Sequence, residues 1–214
     1  MPGVTSPLSS ILIDRAGERS IVTYRDPRFL PEPPADPAAL VAGASAMLVD
    51  DHLPDFVLPV VAAARHAGIP VVVDLEKNNP GTEILRKLCT HLVFSAEGAR
   101  DTAGTDKLEL AMRRIAKQSR AFVAVTNGGD DILFMEDGEP QRLPAFTVKA
   151  VDTLAAGDVF HAAFTLALAE RRSEREALRF ASAAAALKCT RFGGIAGAPT
   201  RPELEGFLQE HAAV

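Results

Sequence analysis

The sequence has 214 residues, a formal net charge of −5 and 47% hydrophobic residues, which is enough for one domain with a buried core. That hydrophobic fraction excludes a disordered chain, and the acidic balance excludes a basic surface for nucleic acid or anionic lipid. The sequence has no apolar run that would cross a bilayer, and the segment Met1–Thr5 lacks the features of a secretory signal. We therefore expect a cytoplasmic protein with no nucleic-acid or membrane partner. Cys89 and Cys189 lack neighbouring ligands at metal spacing and are interpreted as reduced core residues.

The N-terminal segment is predicted to form a small hairpin followed by a stiff connector. Strand signals at Ser10–Ile13 and Ser20–Tyr24 flank a polar turn, Asp14–Glu18. The connector Pro27–Pro37 is rich in proline, which fixes φ and removes backbone donors, so it is predicted to be neither helix nor central strand. We expect the hairpin and connector to form a first domain over 1–37.

The remainder of the chain, 38–214, is predicted to be an α/β domain in which strands alternate with helices. Short apolar strands are predicted at Ala46–Val49, Ile69–Asp74, His91–Phe94 and Phe122–Val125. Helices are predicted at Asp55–Ala67, at Glu83–Leu88, and from an N-cap at Thr105 to about Ser119. This alternation favours a mainly parallel sheet lying between two layers of helices.

The alternation ends after the fourth of these strands. Ile132–Met135 and Gln141–Leu143 are predicted to pair as an antiparallel hairpin. A long apolar helix begins near Asp158, and a second, alanine-rich helix is predicted from Ser173 to about Arg191. The second helix starts with a capping-box pattern and stops at a pair of glycines.

The heptapeptide Asp152–Asp158 is the most informative motif in the sequence. It ends where the long apolar helix begins, so Ala155, Ala156 and Gly157 are predicted to lie at a helix N-terminus. Free backbone N–H groups and the positive end of the helix dipole make such a place an anion site. Asp158 would lie beside that anion, where it can accept the proton of an attacking hydroxyl. Together these features predict phosphoryl transfer, which depends on positioned reactants and positive potential.

Simpler interpretations exist for each part of this pattern. Asp152, Thr153 or Asp158 alone would indicate only a helix N-cap, and it is the combination that favours the anion site. Thr126–Asp130 follows a predicted strand and by itself indicates a simple turn, although near an anion site it is a candidate for nucleotide binding. His161 is interpreted as a hydrogen-bonded packing residue. Neither a Walker-type phosphate loop nor a Gly-x-Gly-x-x-Gly dinucleotide motif occurs.

The segment Asp152–Phe160 resembles the C-terminal signature of the ribokinase (PfkB) family of carbohydrate kinases. Val125–Gly129 is similar to the nucleotide loop of that family, and Phe180–Thr200 to its last helix and closing loop. Ser9–Tyr24 resembles its β lid hairpin. Within the family, Gly157–His161 looks most like sulfofructose kinase and some fructokinases, and other stretches resemble ketohexokinase.

The resemblance implies transfer of the ATP γ-phosphate to a hydroxyl of a small sugar or ketose, with Mg²⁺ accompanying ATP. It implies that Asp158 is the base and that Ala155, Ala156 and Gly157 form the anion hole. Asp152 matches a position that is linked to a monovalent cation such as K⁺ in some members. The implied partners are a sugar and ATP, with a homodimer formed through the lid strands or an exposed sheet edge. The implied nucleotide-binding residues are Thr126, Gly128, Gly129 and Ser182.

The sequence departs from the family pattern at three places. The magnesium-associated Asn-x-x-Glu stretch falls near Ser95–Gly98, where Ser95 replaces Asn and Glu97 comes one position early. Asp131 replaces a later glycine of the nucleotide loop. The N-terminal core strand and the Gly-Gly sugar-binding motif are not found. Two alternatives therefore stay open, a nucleoside kinase of the same family and a truncated, non-catalytic nucleotide-binding module.

Overall fold

The computed structural model describes residues 3–13, 19–76 and 80–212. The chain divides into two compact units, Met1–Pro34 and Ala35–Val214, and each is described by itself. No helix in the described part of the chain is long and apolar enough to span a membrane.

The first unit is built on an antiparallel hairpin. Strand β1 (Leu8–Ile13) pairs with strand β2 (Arg19–Tyr24), which confirms both predicted strands. The polar turn predicted at Asp14–Glu18 lies outside the described residues. Successive side chains of a strand point to opposite faces, and both faces of the hairpin carry exposed apolar side chains. Ile13 and Ile21 lie on one face. The other face, called here the apolar hairpin face, carries Leu8, Leu12, Val22 and Tyr24, each more than half exposed.

Asp26 organises the start of the proline-rich connector. Its buried carboxylate accepts hydrogen bonds from Nε and an Nη of Arg28 at 2.9 and 2.6 Å. It also accepts the backbone N–H groups of Thr5 at 3.1 Å and of Arg28 at 3.0 Å. These donors, the Arg28 guanidinium first, hold the pKa of Asp26 well below its usual range.

The second unit contains a six-stranded sheet whose strand order follows the order of the chain. The first four strands are parallel and the last two are antiparallel, which confirms the predicted mainly parallel sheet with a closing hairpin. The strands are β3 (Met47–Asp50), β4 (Val71–Leu75), β5 (His91–Ser95), β6 (Phe122–Thr126), β7 (Ile132–Glu136) and β8 (Glu139–Leu143). The helices are α1 (Pro37–Val41), α2 (Pro54–His66), α3 (Pro80–Leu88), α4 (Ala96–Ala103), α5 (Leu108–Lys117), α6 (Ala156–Ala169), α7 (Glu174–Cys189) and α8 (Arg201–Glu210).

The region between β5 and β6 differs from the prediction. Thr105 is not the N-cap of a helix, because α5 begins three residues later, with Lys107 at its N-cap position. An additional helix, α4, precedes it. The Ser95 side chain caps α4 by accepting the Gly98 N–H at 3.0 Å, and Gly104 ends it in a left-handed conformation with φ of 62°.

Two further helix boundaries correct the prediction. Pro37 is not part of an irregular connector, because it occupies the first turn of α1, where its missing N–H removes no helical bond. The alanine-rich helix is not the last one, since α8 follows it. Thr200 and Glu203 form a capping box at the start of α8. The capping box predicted at Ser173 is confirmed at the start of α7.

Side chains of alternate strand residues form two separate hydrophobic cores, one on each face of the sheet. In β4, Val71 and Val73 belong to the core that includes α2 and α5, whereas Val72 belongs to the core formed with α6 and α7. The alternation places Asp74 on the same face as Val72, toward α6. The two-residue period of the strand therefore brings a carboxylate to the start of α6.

Candidate active site

Helix α6 begins without a side-chain cap. Ala155 is in the left-handed region with φ of 60°, and this turn directs the chain into the helix. The Ala156 N–H donates to the Thr153 carbonyl oxygen at 3.2 Å. Among the described residues, no acceptor pairs with the N–H groups of Ala155 and Gly157. Of the three donors predicted for the anion hole, Ala155 and Gly157 are therefore unpaired, whereas Ala156 is already bonded.

Asp158 lies on the first turn of α6 with an exposed side chain. Helix α6 packs against β3 and β4, so its N-terminal end meets the edge where these parallel strands finish. In open α/β sheets, ligands bind beyond the carboxyl ends of the strands. The predicted base is thus exposed at the sheet edge where this class of fold binds ligands.

His161 is tied to the same turn and to β4. Its Nδ1 lies 2.8 Å from the Gly157 carbonyl oxygen and therefore carries the proton. The same atom lies 3.3 Å from Oδ2 of Asp74. Burial lowers the pKa of His161, and its buried Nε2 has no hydrogen-bond partner among the described residues. The ring therefore joins the start of α6 to the end of β4, beyond the packing role we expected from the sequence.

Asp74 is a site residue that sequence reasoning missed. Burial first, and then the carboxylates of Glu76, Asp158, Asp51 and Asp50, raise its pKa to about 7. The signal was present in the sequence, since acidic residues lie at the ends of two parallel strands, Asp50 and Asp51 at β3 and Asp74 and Glu76 at β4. Parallel strands end at one edge of a sheet, so these acids had to lie close together.

The predicted nucleotide loop follows β6 on the same edge of the sheet. Oγ1 of Thr126 donates to the Phe94 carbonyl oxygen of β5 at 3.3 Å. The next residues form a turn in which the Asp130 N–H donates to the Asn127 carbonyl oxygen at 3.0 Å. Gly128 has φ of 61°, and both it and Gly129 are exposed, with open space where a Cβ would lie. Backbone can therefore approach a ligand closely here.

Ser182 occupies a different environment from these exposed loop residues. It lies on α7, which packs along α6, and is only 6% exposed. Its side chain therefore offers little surface to a ligand, and its predicted role near the nucleotide stays a prediction.

Glutamate does not fit at position 98, where the resemblance to the family placed it. A Cβ added to Gly98 would lie 2.7 Å from the Leu75 carbonyl oxygen and 2.9 Å from that of Glu76, so only glycine fits. Ser95 is used as a helix cap. No group of three or more His, Cys, Asp or Glu side chains in the described chain could hold a metal ion by itself. A Mg²⁺ that arrives on nucleotide phosphates needs only one or two protein carboxylates, and Asp74 and Glu76, at the end of β4, meet that requirement.

Asp152 anchors the turn that precedes α6. Its Oδ1 accepts the Leu154 N–H at 2.8 Å, and its Oδ2 accepts those of Gly193 at 3.0 Å and Gly194 at 3.4 Å. The Gly193 N–H first and the Leu154 N–H next lower the pKa of Asp152 to about 2. The closing glycine pair after α7 is therefore bonded directly to the first residue of the heptapeptide.

A family model described as pfkB family carbohydrate kinase matches residues 3–201. The chain belongs to the pfkB family of carbohydrate kinases. Ribokinase from Bacillus subtilis is 29% identical over 163 residues, which are 76% of this chain and 54% of that protein. The chain thus spans about half the length of this pfkB-family relative.

Solved structures share the ribokinase-like fold. The crystal structure of a candidate ribokinase from Agrobacterium tumefaciens is 39% identical, with a TM-score of 0.92, over 99% of this chain and 71% of that one. Ribokinase from Arabidopsis thaliana, complexed with ribose and ATP, is 27% identical, with a TM-score of 0.81, over 94% of this chain and 68% of that one. The predicted fold class is confirmed, including the N-terminal hairpin.

Proposed function

We propose that this chain carries the ATP-binding and phosphoryl-transfer part of a sugar kinase. The observation that carries the proposal is the start of α6, where the unpaired N–H groups of Ala155 and Gly157 lie within one helical turn of the exposed Asp158 carboxylate. Membership of the pfkB family and the ribose and ATP bound by the Arabidopsis relative support it. As acceptor we propose a hydroxyl of a small ketose or ketose derivative.

The proposed reaction is a direct transfer. The acceptor oxygen forms a bond to the γ-phosphorus, the bond between that phosphorus and the oxygen bridging to the β-phosphate breaks, and ADP leaves. Asp158 accepts the hydroxyl proton. The Ala155 and Gly157 N–H groups and the positive end of the α6 dipole stabilise the negative charge on the transferring group.

The nucleotide is proposed to lie along the adjacent strand ends. Thr126, Gly128 and Gly129 would line its site, with Ser182 behind them on α7. Mg²⁺ bound to the ATP phosphates would neutralise part of their charge, and the carboxylates of Asp74 and Glu76 are available to hold it. Because ATP is the phosphoryl donor, we also propose a cytoplasmic location.

A substrate panel tests this function. The 214-residue chain is incubated with ATP, Mg²⁺ and single acceptors (fructose-type ketoses, ribose or adenosine), and ADP release is followed together with the mass of the product. A sugar phosphate formed in step with ADP supports the proposal. Preferred phosphorylation of adenosine would support a nucleoside kinase instead. ATP binding by calorimetry with no product from any acceptor would favour a non-catalytic nucleotide-binding module, as the altered Ser95–Gly98 stretch suggests.

We further propose that the apolar hairpin face is covered by the same face of a second copy. A face that carries Leu8, Leu12, Val22 and Tyr24 is complementary to itself across a two-fold axis. Sedimentation analysis is expected to show a dimer that Leu12→Glu dissociates. Ser9→Glu, on the opposite face of the same strand, is the control and should leave the dimer intact. A monomeric wild-type chain would contradict this proposal.

A further inference from the structure

Lys188 is a fully buried lysine at the end of α7. Its exposed fraction is 0%, and its Nζ donates to the Asp152 carbonyl oxygen at 2.8 Å. The same nitrogen lies 3.6 Å from Oδ2 of Asp152. Gly197 lies against its methylene stem, since a Cβ there would come within 3.5 Å of Cε of Lys188. Buried lysines are rare unless paired, so this arrangement has to be accounted for.

Further hydrogen bonds from the backbone surround the pair formed by Lys188 and Asp152. Three backbone N–H groups bond the Asp152 carboxylate, as described above, and its own N–H donates to the Cys189 carbonyl oxygen at 3.2 Å. The Val151 N–H donates to the same Cys189 oxygen at 2.7 Å. One ammonium group therefore holds together the end of α7 and the segment that leads to Ala155.

The residues present do not fit the monovalent cation expected at Asp152. Such a cation would need the carbonyl and carboxylate oxygens of this residue. The Lys188 ammonium already contacts both, and a second positive charge a few ångströms away would be strongly repelled.

We propose that the Lys188 ammonium takes the place of a monovalent cation in this chain and fixes the turn before α6, so that the protein works without K⁺. Lys188 is a positioning residue, because it acts through Asp152 on the unpaired N–H groups of Ala155 and Gly157. The catalytic consequence rests on the proposed function, whereas the cation independence of the folded protein does not.

The first test compares cations on the wild-type chain. Thermal unfolding and ATP-dependent turnover are measured in KCl, NaCl and tetramethylammonium chloride at one ionic strength. A cation that binds the native state would raise the melting temperature, so we expect the three salts to agree within about 1 °C. Turnover is expected to agree within about twofold. A melting temperature or rate that rises selectively with K⁺ would overturn the proposal.

The second test removes the charge. Lys188→Met keeps the length of the side chain but leaves Asp152 uncompensated, so the melting temperature should fall by on the order of 10 °C and kcat by about tenfold or more. The KM for ATP should change less than kcat. K⁺ should now raise the melting temperature of this variant, because the positive charge that repels the cation is gone. Lys117→Met, on an exposed part of α5, is the matched control and should show none of these effects.

Lys188→Arg covers the case in which Lys188→Met does not fold. It keeps the charge, and we expect its melting temperature to be as indifferent to K⁺ as that of the wild type. A K⁺-dependent rise in Lys188→Arg or an undiminished kcat in Lys188→Met would each contradict the proposal. If no acceptor is phosphorylated by the wild type, the proposed function fails, but the unfolding measurements still decide whether Lys188 replaces the cation.

Discussion

The turn before α6 and the β1–β2 hairpin differ in how far their side chains are hydrogen-bonded or buried. At the turn, the carboxylate of Asp152 receives three backbone N–H groups and faces the buried ammonium of Lys188. In the hairpin, the side chains of the apolar face are each more than half exposed. A two-stranded sheet is at best marginally stable on its own. The proposed phosphoryl site is therefore supported by contacts within its own unit, whereas the hairpin leaves an apolar surface exposed.

A direct loss of stability is expected at Gly98, whose backbone lies against the end of β4. Gly98→Ala places a Cβ 2.7 Å from a backbone carbonyl oxygen that cannot move freely, and we expect a loss of about 1–3 kcal/mol of unfolding free energy. Gly206→Ala on α8 is the matched control, because open space surrounds its Cβ position, and it should stabilise by about 0.5–1 kcal/mol. Denaturant unfolding of both variants measures the difference. Equal effects of the two substitutions on the unfolding free energy would show that the backbone beside Gly98 can move to accept a Cβ.

A pH-dependent effect is expected at Asp74. With a pKa raised to about 7, the folded state keeps a proton that the unfolded chain releases near pH 4. The associated stability is fully present below about pH 4 and is lost as the pH rises through about 7, by at most roughly 4 kcal/mol. Because asparagine does not titrate, the Asp74→Asn variant does not lose this stability as the pH rises. Its melting temperature relative to the wild type should therefore rise by on the order of 5 °C between pH 5 and pH 8.

Asp55→Asn is the control for this pH series, because it removes a carboxylate from the exposed first turn of α2. A melting-temperature difference for Asp74→Asn that stays constant across the series would contradict the account of this carboxylate.

The smallest effect is expected at Ala155. Its left-handed conformation costs an L-residue about 1–2 kcal/mol, which glycine avoids, while glycine loses about 0.5–1 kcal/mol through the entropy of the unfolded chain. Ala155→Gly should therefore be neutral or slightly stabilising in chemical denaturation. Ala162→Gly, at an exposed interior position of α6, should cost about 1 kcal/mol. A larger loss for Ala155→Gly than for Ala162→Gly would mean that the turn is not strained.

The fold could be predicted from the sequence wherever one local pattern dominated. The apolar strands and the capping box at Ser173 carried such patterns. Helix α4 did not, because its sequence is short and contains a glycine, and it is stabilised by the Ser95 cap and by burial of Ala96, Gly98 and Ala99. Thr105 has the side chain of a good N-cap, but Gly104 ends α4 directly before it.

The site could be predicted only where its residues are contiguous. The heptapeptide placed Asp158 and the small residues at a helix start, as the structure shows. The contacts of Asp74 with His161 and of Lys188 with Asp152 join residues far apart in the sequence, and only the sheet order and the packing of α7 on α6 bring them together. The hydrogen bond from the Ala156 N–H to the Thr153 carbonyl oxygen also depends on the conformation of the turn, which the composition of the heptapeptide does not specify.

Turnover of the Asp158→Asn variant is the most direct test of the proposed phosphoryl site. With an acceptor identified from the panel, kcat should fall by about a thousandfold or more because the hydroxyl loses its base, while the Kd for ATP by calorimetry should stay within about threefold. Asp55→Asn, an exposed aspartate on the first turn of α2, is the matched control and should leave both values unchanged. A kcat for Asp158→Asn equal to that of the wild type would contradict the assignment of the base and of the phosphoryl site.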